Sequence, residues 1–130
     1  MILSTLLALA AAAQEPKIDC DNAMAQFELN ACAYQDYERA DAAMNAQWKI
    51  TVAHMKAVDA DFDRTQDNRP GYFDTLLAAQ RAWLTYRDKH CTGEGYLMRG
   101  GSAEPMVFSG CMTQLTEART KQLKDLIEEY

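Results

Sequence analysis

The chain has 130 residues and a formal net charge of −6. That length predicts one domain. The acidic balance repels nucleic acid and anionic lipid surfaces, so neither is expected as a partner; it suits a basic partner, or solubility alone.

Residues Ile2 to Ala13 form an uncharged apolar run. It is shorter than the ~20 residues a membrane-spanning helix needs. It fits the apolar core of a secretory signal, with Ala11-Ala12-Ala13 as the small-residue cleavage pattern. No Lys or Arg precedes it, so the competing reading is a membrane-anchoring stub or a misassigned start. The organisation expected is a signal peptide over 1–13 and a helical domain over 14–130. No cysteine closes the apolar run, so no membrane anchor is expected after cleavage. The expected location is periplasmic or secreted.

Four cysteines follow: Cys20, Cys32, Cys91 and Cys111. An even count in a small exported chain reads as a disulfide framework with three possible connectivities. A helical hairpin turned at Gly100-Gly101 would set Cys91 opposite Cys111, which favours that pair and leaves Cys20 with Cys32. An unbroken helix would hold residues 20 and 32 about 18 Å apart, whereas a disulfide needs Cα atoms within roughly 7 Å. The chain is therefore expected to reverse near Ala25-Gln26.

A helix is predicted over about Phe27 to Phe62. Its stripe is Tyr34, Tyr37, Asp41, Met44, Trp48, Thr51, Met55, Val58 and Phe62, in steps of three and four. "DRTQDNRPG" then breaks the pattern with turn formers. A second stripe reads Phe73, Leu76, Leu77, Gln80, Trp83, Leu84, Arg87 and Cys91. "TGEGYLMRGGSAEP" reads as a loop with room for a short helical turn. A third stripe comprises Phe108, Cys111, Leu115, Ala118, Gln122 and Leu126. The fold expected is all-α: a small disulfide-stapled bundle of three to four helices, one long helix plus an antiparallel hairpin.

No motif carries catalysis. "DADFD" at Asp59 to Asp63 resembles a calcium loop, but the sixth and twelfth places hold Arg64 and Pro70 where Gly and Glu are required. His54 and His90 lack metal-motif partners. His90 and Cys91 point about 100° apart on a helix, so they do not form a nucleophile pair. The telling oddities are polar members of apolar stripes. Asp41, Gln80 and Arg87 are expected to form a buried polar network, because a buried charge must be paired. Asp41 or Glu38 would pair with Arg87, and Gln80 would bond to a helix end or loop carbonyl. The competing reading is a ligand cleft with Arg81 or Arg87 on an anion and Asp88 orienting it.

Five ordered blocks carry a resemblance: "DC-x-x-A-x-x-Q-x-E-L-N-x-C-A" at Asp19 to Ala33, "AD-x-x-M-N" at Ala40 to Asn45, "AQRAW-x-x-YRD-x-x-C" at Ala79 to Cys91, "GGS-x-x-PM" at Gly100 to Met106, and "C-x-x-x-LT-x-x-R" at Cys111 to Arg119. Together they resemble the LprI-like lysozyme-inhibitor family. Ala25 departs from the pattern, where a Thr would cap the following helix and complete a capping box with Glu28. The missing lipidation box also departs from the family's lipoprotein members. The resemblance implies an all-helical, disulfide-bonded extracytoplasmic domain that inhibits lysozyme.

The function expected is therefore a non-enzymatic exported protein, without cofactor or metal, that binds and inhibits a c-type lysozyme. The loops Gly93 to Pro105 and Asp63 to Gly71 are the expected contact segments, with Glu94, Glu104 and Asp67 approaching cationic groups. The alternative is an envelope structural or interaction module with a different protein partner. A metal or small-ligand binder ranks third.

Overall fold

Helix α1 spans Gln26–Asp61, α2 Tyr72–Gly95 and α3 Glu104–Glu128. They belong to a computed structural model that describes residues 17–128. The expected signal peptide over 1–13 lies outside the described residues. A single 3-10 turn, Tyr96–Met98, extends α2. No strand occurs among the described residues, and no helix there is long and apolar enough to cross a membrane. The molecule is an all-α bundle held by two disulfides.

The start of α1 follows from its sequence. Ala25 stands at the N-cap in extended backbone and offers no capping side chain. Glu28 supplies the missing partner from inside the helix: its Oε2 accepts the N–H groups of Met24 and Ala25, each at 3.1 Å. This is half of a capping box. The chain reverses just before the helix, which brings the Cα atoms of Cys20 and Cys32 to 5.7 Å in a disulfide.

The α1–α2 turn is closed from α1. Asp59 accepts the backbone N–H of Tyr72 at 2.7 Å and of Phe73 at 3.0 Å. Those are orphan donors of the first turn of α2, which has no capping side chain of its own. Gly71 makes the approach possible: a Cβ there would lie 2.8 Å from Asp59 Oδ1. "DADFD" is thus a helix end whose first acid caps the next helix.

The segment from Thr92 to Pro105 is more helical than its glycines predict. Gly95 is a buried residue of α2, with space for a Cβ only 3.4 Å from the Cβ of Phe108. Packing against α3 outweighs the weak helix propensity of glycine. Only residues 99–103 connect α2's 3-10 extension to α3. Gly100 turns there at φ +77°, in the left-handed region that glycine tolerates. Cys91 and Cys111 face each other across this hairpin, with Cα atoms 5.4 Å apart in the second disulfide.

The topology is up-down-up. Consecutive helices are antiparallel, yet the most extensive packing joins α1 to α3, which run parallel. Gln26 meets Met106 at one end, and Thr51 Oγ1 donates to the Leu123 carbonyl at 2.9 Å toward the other. Because α3 touches both other helices, its inward line is Ser109, Met112, Thr116, Arg119 and Leu123. All of these are buried except Arg119, which is half-buried. The predicted third stripe is corrected accordingly: Ala118 and Gln122 are exposed.

Two apolar clusters fill the bundle. One joins Met44, Met55, Leu76 and Leu123 with Trp48, Phe73 and Trp83; the other joins Cys91, Cys111 and Met112 with Tyr37, Phe108 and Leu115. Arg87 and Thr116 lie between them.

Candidate functional site

The polar layer is the first candidate, because it holds the three polar residues that interrupt the apolar stripes. Arg87 is only 5% exposed. Its Nε donates to Asp88 at 3.0 Å, and its Nη1 donates to Thr116 Oγ1 at 3.2 Å and stands 3.5 Å from Asp41. Asp41, rather than Glu38, is the cross-helix carboxylate. The guanidinium also faces the rings of Tyr37 and Trp83, at 5.5 and 5.2 Å from their centroids. Such cation–π contacts replace part of the lost hydration. Burial pushes the Tyr37 phenol above its ordinary value, against the opposing charge of Arg87.

Gln80 sits about two turns before Arg87 on α2 and is buried. Its Oε1 accepts from Arg119 Nε at 2.8 Å, and its Nε2 lies 3.7 Å from the Met44 sulfur. The partner is a side chain of α3, not the helix end or loop carbonyl expected. Arg119 was missed because the stripe drawn through Ala118 and Gln122 passes beside it. The spacing 109, 112, 116, 119, 123 is the signal that would have found it. This layer links all three helices. Its hydrogen-bonding groups engage one another, as in a network that fixes helix register.

The second candidate is the end of the bundle that carries both disulfides. The start of α1 is tied there to the 99–106 segment by Asn30 Nδ2, which donates to the Ser102 carbonyl at 2.9 Å. Large apolar side chains remain uncovered at this end: Met24 and Phe27 near the start of α1, and Tyr96, Leu97 and Met98 on the 3-10 turn. Leu97 is 80% exposed and Phe27 69%. Arg99 stacks on Tyr96, 4.3 Å from its centroid. Exposed Leu or Phe residues are ordinary singly; here several lie at one stapled end.

The expected contact acids are not brought together. Glu94 and Glu104 lie at the stapled end, whereas Asp67 lies in the 62–71 connection at the opposite end. At 1.5 Å per residue α1 alone spans about 54 Å, so one partner cleft does not meet both. Glu104 is already engaged, accepting the Gly100 N–H at 2.8 Å. Asp67 is held by Arg69, whose hydrogen bonds keep the carboxyl below its usual range. Glu94 lies close to His90 and Cys111, with possible ligand atoms within 4.8 Å of one another. The Cys111 sulfur is committed to its disulfide, which leaves too few donors for a metal centre.

These features define a class: a disulfide-stapled helical module with several exposed apolar side chains at one end. The family model described as "Lysozyme inhibitor LprI" matches residues 20–123, and the chain belongs to that family. An uncharacterized protein of Rhizobium meliloti (strain 1021) is 45% identical over 128 residues, covering 97% of this chain and 92% of its own length. No solved structure matches.

Proposed function

We propose that this protein is an exported inhibitor that binds a c-type lysozyme through the doubly stapled end of its bundle. The observation that carries the reading is the family match, which spans all four cysteines and the polar layer. Two disulfides support an extracytoplasmic location, because such bonds persist in oxidising compartments.

Physical features of the stapled end support it as the binding face. Met24, Phe27, Tyr96, Leu97 and Met98 are exposed there, beside Arg99. Aromatic, Met and Arg side chains are the types enriched at protein interfaces. The disulfides hold their backbone in place, so less ordering entropy is lost on association. The net charge of −6 steers the whole molecule toward a basic enzyme. Charge then acts mainly on the rate of encounter, because Glu104 is occupied and Asp67 is remote. Inhibition is steric: the end of the bundle covers the enzyme's cleft, and this chain performs no chemistry.

The test is titration of the oxidised domain into a c-type lysozyme, reading cell-wall lysis and binding together. Dose-dependent inhibition with matching binding, weaker at higher salt, is expected. Absence of binding at low and physiological salt would overturn the reading and leave an interaction module for another partner.

A further inference from the structure

At the end opposite the disulfides, a half-open cavity of about 790 Å³ lies between α1, the 62–71 connection, α2 and the C-terminal half of α3. Its size falls in the range of roughly 300–1,000 Å³ typical of small-molecule sites. Met55, Leu76 and Leu126 line it with hydrocarbon, and Arg64, Arg69 and Arg119 line it with positive charge. This is unexpected on a chain of net charge −6. The one carboxylate in the lining among the described residues, Asp67, is engaged by Arg69 through hydrogen bonds of 3.1 and 2.7 Å.

Arg119 differs from the other two. It is half-buried, and among the described residues no carboxylate pairs with it. Its Nε donates to the buried Gln80 Oε1 and its Nη1 to Gln122 Oε1 at 3.2 Å. Gln80 therefore holds the guanidinium from behind. Burial pushes Arg119 below its ordinary value, the direction expected when a charge lacks a counter-ion. A partly desolvated guanidinium whose partners are two amide oxygens and the Trp83 ring, 5.9 Å from its centroid, gains from an anion, which it binds through charge-assisted hydrogen bonds.

We infer that this cavity binds an amphipathic monoanion, a single carboxylate or sulfonate on an alkyl body. Its headgroup meets Arg119, and its hydrocarbon lies against Met55, Leu76 and Leu126. The site is separate from the proposed lysozyme-binding end and does not depend on that reading.

The experiment is calorimetric titration of the oxidised domain with dodecanoate below its micelle concentration, with dodecyltrimethylammonium as the same tail carrying the opposite charge. Overall charge alone favours the cation, so tighter binding of dodecanoate reports the local arginine. R119Q should weaken dodecanoate by roughly tenfold or more, the scale of one hydrogen bond to a charged group. A79E, at an exposed helical position in the cavity lining, should weaken it comparably by placing a carboxylate beside the headgroup. R39Q, remote from the cavity, should bind as the parent does. Equal binding of the two amphiphiles, unchanged binding by R119Q and A79E, or no binding would overturn the inference. So would dodecanoate binding that appears only after deletion of Glu129 and Tyr130, which would make the chain's own end the occupant.

Discussion

The carboxylate of Asp59, near the end of α1, accepts the backbone N–H of Tyr72, the first residue of α2, at 2.7 Å. It also accepts the Phe73 N–H, and these bonds hold its carboxyl below the usual value of 3.8. A group whose folded pKa is depressed contributes stability that is present above its unfolded pKa and lost as pH falls through the folded value. Removing the carboxylate in D59N should therefore flatten the loss of stability below about pH 4, measured by thermal melts across pH. G71A should lower the melting temperature in the same direction, because its new methyl would meet Asp59 Oδ1 at 2.8 Å. The D59A/G71A double variant should lose less than the two single losses added, since both break one contact.

Arg87 joins α2 to both other helices, so R87A should be among the costlier single changes. Asp41 and Asp88 have side chains 35% and 59% exposed, and water replaces the lost cation there. Thr116 is fully buried and loses its donor. The loss should be about 2–3 kcal/mol by urea unfolding, below the roughly 3–5 kcal/mol of a fully buried pair. R87M, which keeps much of the packing against Tyr37 and Trp83, should lose less.

The two disulfides differ in access. Cys91 is fully buried and Cys111 nearly so, inside the second apolar cluster, whereas Cys20 is exposed. Mild thiol treatment should open Cys20–Cys32 first, read as a mass increase after alkylation. Each loop, of 12 and 20 residues, should contribute about 3 kcal/mol through the unfolded chain. Opening the first should leave α1–α3 packed, and opening the second should lower the melting temperature further by disrupting that cluster.

Leu97→Asp separates binding from stability. The side chain is 80% exposed, so urea unfolding should change by less than about 0.5 kcal/mol. Its affinity for c-type lysozyme should fall roughly tenfold or more if Leu97 is an apolar anchor of the interface.

The α2 stripe from Phe73 to Cys91 was legible because each of its residues faces a neighbouring helix, so burial follows the helical period. The α3 stripe was drawn partly wrong because two neighbours bury a different line, and Arg119 fell off it. The Asp59 cap was not legible, since it joins residues 13 apart across a turn. For Glu104 and Asp67, sequence could mark exposed acids but not their engagement by Gly100 and Arg69. The exposed apolar end was hidden for a similar reason. The sequence marks residues 92–105 as a loop with a short helical turn, which Tyr96–Met98 forms, but nothing in their order places that turn beside the start of α1.

The most direct test of the proposed binding face is hydrogen exchange of the oxidised domain with and without saturating c-type lysozyme. Added protection is expected over residues 24–30 and 94–102, with the 62–72 segment unchanged. Protection confined to 62–72, or none anywhere under saturating conditions, would contradict the proposed face.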